Sequence, residues 1–399
     1  MNPDLRERLR RLGVHKGAAH LKPSRPALQP DRTGTPARAQ LEPLRTPFGY
    51  AHVSRSAYAL AHRHGDRTLD AALRYPPESL ARLVAGRGVA EVDLRRALFL
   101  DTETTGLNGG AGTFAFLVGL GYFDDERFVV EQFFLRDPAE EAAMLCEVDR
   151  RVNDRQLIVT FNGQAFDVPL LESRFVLSRI ASPFAGKHHL DLLLPARRVW
   201  RGSLDSCSLG SLEFHLLGVR REQRDVPGAV IPFLYREYLA AGGGNLNEDM
   251  QRVMYHNLND VLSMVALVSR LADALTRPQD AAEHFNAARF YERVGDYDAA
   301  ERSYRAAAAG LPLSSLRHVA RFMRRRGHLE EALAIWQRLA ELDDVEGLIE
   351  VAKHYEWRAC DLDRALDYAR RALRVSASPT LRAAIAHRIA RLERKVRRA

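Results

Sequence analysis

LFLDTETTGL, Leu98–Leu107, brings an apolar run to a sudden end in acids and a glycine. The apolar lead-in, Leu98, Phe99 and Leu100, marks a buried strand. Side chains alternate faces along a strand, so Asp101 and Glu103 project to one side and Thr102 to the other. Two anions at that spacing repel unless a cation lies between them. A divalent metal ion meets that need, and the rest of the chain must then supply its other ligands.

The surrounding residues read as an α/β unit over residues 97–276. ALFLDTE, TFAFLVGLGYF and RFVVEQFFL form three consecutive strands, with Asp124 and Asp125 in a hairpin-type turn. DPAEEAAMLCEVDRRV is a helix, with Asp137 as cap, Pro138 in the first turn, and Glu140 and Glu141 complementing the dipole. QLIVTFN is a buried strand and VPLLESRFVLSRI a helix; HLDLL begins a further strand, and SLGSLEFHLLG is a helix ended by Gly218. A long helix covers about Asn247 to Leu275. This alternation predicts a mixed central sheet with helices on its faces.

The flanks differ in character. Up to Arg45 the chain has six prolines and ten Lys/Arg against four Asp/Glu, which reads as a disordered basic arm over residues 1–45. Residues 46–96 are a mixed segment of short helices and turns. Beyond Pro278 only helices are expected, over residues 280–399. GDYDAAERSYRAA, GHLEEALAIWQRL and CDLDRALDYARRA align Gly295, Gly327 and Cys360, with Ala300, Ala332 and Ala365 as the small residue at a close helix contact. That period resembles tetratricopeptide repeats, each burying its apolar face on a neighbour.

The 399 residues carry a net charge of +8, which suits a polyanionic partner. No apolar run is long enough for a membrane span and no secretory signal is legible. Cys146, Cys207 and Cys360 show no paired spacing, which fits a reducing cytosol and argues against a zinc or disulfide framework. A cytoplasmic protein is expected.

Two further acids stand at element boundaries. Asp167 follows a buried strand in FNGQAFDVPLL, and Asp260 lies on the long helix with His256 one turn earlier. Taken singly, each has an ordinary reading: a turn, a helix cap, a local helix pair. Together the four carboxylates suit a two-metal site for phosphoryl chemistry, with oxygen donors selecting Mg²⁺ or Mn²⁺. Asp101 would bridge both ions, Glu103 and Asp260 would complete the first, and Asp167 would serve the second, with His256 as general base. His188, His189 and Asp191 offer an alternative metal cluster, for which strand-end positioning is the preferred reading.

DTETTGL, NGQAFDVPLL and the His/Asp helix resemble the three motifs of the DEDD ribonuclease-H-like exonucleases. The middle motif is similar to that of family B polymerase proofreading domains at Asn162, Phe166, Asp167, Pro169 and Leu170. GGAGTFAFLVGLGYF, HLDLL and HNLNDVLSMVALV resemble the bacterial YprB-type ribonuclease-H-like proteins. The resemblance implies a ribonuclease-H fold, two divalent ions and 3′→5′ release of nucleoside monophosphates, with Asp101, Glu103, Asp167 and Asp260 as ligands. In the DEDD families the third motif carries Tyr four residues before its Asp or His five before; here His256 and Tyr255 are interchanged. Helical geometry favours His256 as the base, because i and i+4 share a face.

Thr104, Gly106 and Leu107 are expected to hold a terminal sugar and base, and Asn162 to fix the strand. Arg197, Arg198 and Arg201 are candidate phosphate contacts. The leading expectation is a metal-dependent 3′→5′ exonuclease for single-stranded DNA or RNA ends. A non-catalytic nucleic-acid adaptor with a protein partner on the repeats, and a structure-specific endonuclease, are the alternatives.

Overall fold

Seven strands hydrogen-bond into one mixed sheet in a computed structural model that describes residues 38–84, 91–106, 112–200, 202–222 and 225–398. They are β1 (Glu42–Thr46), β2 (Gly49–Ala59), β5 (Ala97–Thr104), β6 (Ala115–Phe123), β7 (Arg127–Phe134), β8 (Leu157–Thr160) and β9 (His188–Asp191). Their order is β1-β2-β7-β6-β5-β8-β9; the joins from β1 to β5 are antiparallel, and β5–β8 and β8–β9 are parallel. A small separate hairpin pairs β3 (Arg63–His64) with β4 (Arg67–Thr68). The sheet carries the Glu141–Asn153 helix, the Asp167–Leu177 helix and the long Glu248–Thr276 helix, capped by the Asn247 side chain on the Met250 amide.

The central strand β5 has a divided edge. Its pairing with β8 runs only from Ala97 to Phe99, whereas its pairing with β6 continues to Thr104 through an irregularity at Glu103 and Thr104. From Leu100 onward, one side of the backbone is therefore open to partners other than β8.

Two strands of the large sheet lie outside the expected α/β unit. Glu42–Arg45, the end of the expected arm, belongs to β1, and β2 occupies the start of the mixed segment, where no strand is expected. Thr46 Oγ1 closes their turn on the Gly49 carbonyl at 3.0 Å, and Gly49 takes a φ of 113°. Pro43 is tolerated because β1 is an edge strand. The strand pattern of β2 is masked by Arg55, which stands across from Glu131 of β7 and bonds it at 2.7 Å while Arg151 closes the same carboxylate. Charge pairing substitutes there for apolar alternation. The short helices expected in this segment do occur, at Leu69–Arg74 and Pro77–Ala81. The remainder of the arm, up to residue 37, lies outside the described residues.

The C-terminal region is all helical. Three hairpins, Ala281–Val294 with Tyr297–Ala307, Leu313–Arg326 with Leu329–Glu341, and Val345–Trp357 with Leu362–Val375, are closed by the Pro379–Val396 helix. Ala300, Ala332 and Ala365 are buried, as are Tyr304, Trp336 and Ala369 one turn on. The apolar core runs without a break from the long helix into the first hairpin; Tyr291 donates to the Leu275 carbonyl at 2.9 Å, and Arg270 pairs with Glu283. Cys146, Cys207 and Cys360 form no disulfide, and no described helix is long and apolar enough to cross a membrane.

Gly295, Gly327 and Cys360 occupy equivalent turns with φ of 84°, 89° and 54°. Glycine meets this left-handed requirement freely, and cysteine does not. Cys360→Gly is expected to stabilise the protein by about 1 kcal/mol, the order of the left-handed penalty for a residue with a Cβ. A urea midpoint that falls instead would contradict this account of the turn.

Candidate metal centre

Two glycines in β6 bring the long helix onto β5. A Cβ at Gly119 would stand 2.2 Å from Asn257 Oδ1, and one at Gly121 would stand 2.5 Å from Val261 Cγ1. They share one face of the strand, so the helix packs against bare backbone. That approach carries Asn257, His256 and Asp260 to the end of β5. Asn257 is fully buried; its Nδ2 donates to Asp101 Oδ2 at 2.8 Å, and its Oδ1 accepts from Gln132 Nε2 at 2.8 Å. Gln132 also donates to the Met254 carbonyl, which fixes the amide orientation. One oxygen of Asp101 is thereby set by a buried relay from β7.

Asp167 reaches the same strand from the opposite side. The open edge of β5 presents the Thr102 amide, which donates to Asp167 Oδ1 at 3.1 Å, and the Thr102 hydroxyl donates to the same oxygen. Asp167 is thus held by the residue between Asp101 and Glu103. The loop before it is organised by Asp191, which accepts the amides of Asn162 (2.7 Å), Gln164 (3.1 Å) and Leu193 (3.1 Å). Asn162 takes a left-handed φ of 68° in that loop. With Asp191 so occupied, and His189 bonded to Thr160 Oγ1 at 2.8 Å, this group is a strand-end brace rather than a metal cluster.

His256 and Asp260 face β5 from the helix. Donor atoms of Glu103, His256 and Asp260 all lie within 4.8 Å of one another. His256 Nε2 is 3.9 Å from Glu103 Oε1 and 3.6 Å from Asp260 Oδ2, and its Nδ1 is 2.9 Å from Asp225 Oδ1. The Tyr255 hydroxyl instead accepts the Glu222 amide at 3.3 Å. Of the two candidate bases, His256 is the one whose ring meets Glu103 and Asp260.

The electrostatics identify what this cluster needs. Burial raises the Asp101 carboxyl well above the carboxylate range, and the charges of Asp260, Glu103 and Asp167 raise it further. Burial lifts Glu103 to about 8 against the relief given by His256. Burial lifts Asp167 to about 6 despite its Thr102 hydrogen bonds. Burial disfavours the charged form of His256, but Asp225, Asp260 and Glu103 overcome it and raise the imidazole to about 9. Buried anions without a matching cation hold protons instead. Carboxylate oxygens suit a hard divalent ion, and the donor atoms that lie within 4.8 Å of one another belong to Glu103, Asp260 and the imidazole of His256 rather than to all four acids.

Two clefts open onto these residues. One, of about 430 Å³, is lined by Asp101, Asp260, Phe161, Asn162 and Arg197 among others. The other, of about 550 Å³, runs from Phe214 and Arg220 to Arg221, His256 and Asp260. Thr104 hydrogen-bonds the Gly106 carbonyl at 2.7 Å, in the turn leaving β5. Leu107 and Arg201 lie outside the described residues, and Arg198 does not line either cleft.

Sequence reasoning passed over Asn257, Gln132, Asp225, Arg221 and Glu213. A signal existed for the first: Asn257 interrupts an apolar helical stripe of Val253, Val261 and Met264, and GLG in β6 is an unusual strand interior. The other four are joined to the site by contacts between distant segments.

Comparison with known proteins came to the same region. Residues 98–272 match the RNase_H superfamily family model. The chain is 31% identical to YprB of Bacillus subtilis (strain 168), described as an uncharacterized protein, over 370 residues that span 87% of this chain and 86% of the relative.

The raised Glu103 carboxyl sets the sign of a pH effect. Between its ordinary 4.5 and about 8, the folded chain binds more protons than the unfolded one, so stability in chelator falls as pH rises through that window. Mg²⁺ or Mn²⁺ is expected to restore it, most strongly at the alkaline end. Asp101→Asn is expected to raise stability in chelator by about 0.5–2 kcal/mol and to reduce the gain from metal. Thermal melts across pH, with chelator or metal, measure both; a metal-free protein that grows more stable from pH 5 to 8 contradicts the assignment.

Proposed function

The chain belongs to the YprB family and carries a ribonuclease-H-superfamily domain over residues 98–272, and from that premise we propose that it is a divalent-metal-dependent 3′→5′ exonuclease for single-stranded DNA or RNA ends. Membership of a nuclease superfamily supports a nuclease-type hydrolase with nucleic acid as substrate. The finer reading is supported by one observation above all: Asp101, Glu103 and Asp167 converge at the end of β5, where burial raises all three carboxyls, with His256 and Asp260 beside them.

In this reading Asp101, Glu103, Asp167 and Asp260 hold two divalent cations. Such ions, when bound, polarise the phosphodiester and acidify water at neutral pH. The chain's own part is positional and protic. Asn257 and Thr102 fix one oxygen each of Asp101 and Asp167, leaving their other oxygens for ligation. His256 presents Nε2 toward Glu103 and Asp260 while Asp225 holds Nδ1, so Nε2 is the atom that takes the proton of the attacking water. Its raised proton affinity comes first from the Asp225 hydrogen bond and then from the charges of Asp260 and Glu103.

Preference for unpaired ends is supported by Phe166 and Phe214, both more than half exposed, one adjoining Asp167 and the other in the cleft leading to His256. Exposed rings beside a phosphate-cleaving site offer stacking surfaces to splayed bases. Asn162, Thr104, Gly106 and Leu107 would contact the terminal nucleotide. The helix hairpins, read as tetratricopeptide-like, would hold a protein partner.

End-labelled single- and double-stranded DNA and RNA are expected to give a ladder from the 3′ end with Mg²⁺ or Mn²⁺ and none with chelator. Asp101→Ala and Asp260→Ala should each lose about 10³-fold or more in rate. His256→Phe should lose about 10²–10⁴-fold, while Tyr255→Phe stays near wild type. Phe166→Ala and Phe214→Ala should weaken single-strand binding by about 1–3 kcal/mol each with little effect on duplex. Tight binding without cleavage under every metal condition would replace this reading with a nucleic-acid adaptor, and internal nicking with an endonuclease.

A further inference from the structure

Behind Asp260 lies a buried polar chain that the proposed chemistry does not use. Arg221 has a side chain only 14% exposed, yet its guanidinium meets three carboxylates and an imidazole. Nε and Nη2 donate to the two oxygens of Glu213, at 2.8 and 2.6 Å. Nη2 also donates to Asp260 Oδ1, and Nη1 lies 3.5 Å from Asp225 Oδ2 and 3.0 Å from His256 Nδ1. A forked Arg–Glu pair is already neutral and geometrically complete. Its further reach to Asp260 fixes which oxygen of that acid is occupied. Oδ1 is taken by Arg221, and Oδ2 is the oxygen turned toward His256.

The anchor of this pair is itself anchored. Glu213 opens a π-helical turn, Glu213–Leu217, ended by left-handed Gly218. Irregular turns of this kind serve to aim a side chain that a regular helix would not. Glu213 Oε1 also accepts the Ser263 hydroxyl, and Ser263 Oγ is 2.7 Å from His64 Nε2. Burial holds His64 neutral, at about 3, so it acts as a donor without adding charge. The β3–β4 hairpin that carries His64 sits directly on the π turn. The Asp66 amide donates to the Leu217 carbonyl at 2.7 Å, and a Cβ on Gly218 would meet Asp66 Oδ2 at 2.6 Å.

We propose that Arg221 is a positioning residue that holds Asp260 in its ligating orientation, itself fixed by Glu213 and, through Ser263, by the His64 hairpin that precedes the ribonuclease-H-superfamily domain. The inference rests on the reading of Asp260 as a metal ligand. It makes the hairpin segment part of the site's support, and it distinguishes arginine from lysine. A lysine ammonium cannot grip Glu213 in a fork and touch Asp260 from the same planar group.

The test uses the full-length protein with Arg221→Ala, Arg221→Lys, Glu213→Gln and Ser263→Ala. Mn²⁺ affinity by electron paramagnetic resonance, kcat and KM on a single-stranded end, and thermal melts are measured on each. Arg221→Ala is expected to weaken Mn²⁺ binding and lower kcat by about 10–100-fold with KM little changed, as for other groups that orient a metal ligand. Arg221→Lys should recover only a small part of this loss, and added guanidinium ion should restore part of the Arg221→Ala rate. Glu213→Gln and Ser263→Ala should shift both readouts in the same direction by less. Wild-type Mn²⁺ affinity in Arg221→Ala would overturn the proposal, and so would tighter binding, which would make Arg221 a competitor of the cation. If Arg221→Ala does not fold, Glu213→Gln and Arg221→Lys decide by the same criterion. A wild-type protein that binds Mn²⁺ but cleaves no end refutes the exonuclease reading alone, and the order of Mn²⁺ affinities still judges Arg221.

Discussion

The close approach of the long helix to β6 is the constraint on which the rest of the site depends. Gly119 and Gly121 remove two side chains from one face of a buried strand, and Asn257 and Val261 occupy the space. A helix kept farther off by even one methyl group would lose the Asn257 bond to Asp101 and withdraw His256 and Asp260 from Glu103. The local weakness of glycine in a strand is accepted here because the sheet is wide and the strand is paired on both sides. Packing distance, rather than any single hydrogen bond, sets which side chains can meet.

That packing forces together groups that repel. Compensating cations stand on the helix flank, where Arg221 and His256 face Asp260, Asp225 and Glu213. Asp101 accepts a hydrogen bond from the Asn257 amide, and the charges of Asp260, Glu103 and Asp167 act on it. The resulting strain is borne by the surrounding apolar core and by neutral bonds from Asn257, Gln132 and Thr102. Natural folds depart from local consistency chiefly where function requires it, which is what marks this cluster as the candidate site.

Much of this was legible in the sequence for a physical reason. Strand alternation puts Asp101 and Glu103 on one face, and helical spacing does the same for His256 and Asp260. The three central strands, the long helix and the aligned hairpins all follow from periodicities of two or of about three and a half. The unread parts have the opposite character. β2 hides behind Arg55, whose partner Glu131 lies in another strand, and β1 carries a proline that is acceptable only at an edge. Arg221 and Glu213 stand eight residues apart across a π turn that no periodicity announces, and Asp225 matters only through His256. Cys360 sits in a glycine-like turn with nothing local to mark it except its register with Gly295 and Gly327.

The unbroken apolar core between the long helix and the first hairpin has a mechanical meaning. Leu275, Tyr291 and the Arg270–Glu283 pair leave no swivel at this junction. The first hairpin leaves the long helix at one angle, as a bracket leaves the beam it is welded to. No flexible tether separates the two, so the bearing of the hairpins on the carboxylates is built into the packed junction itself.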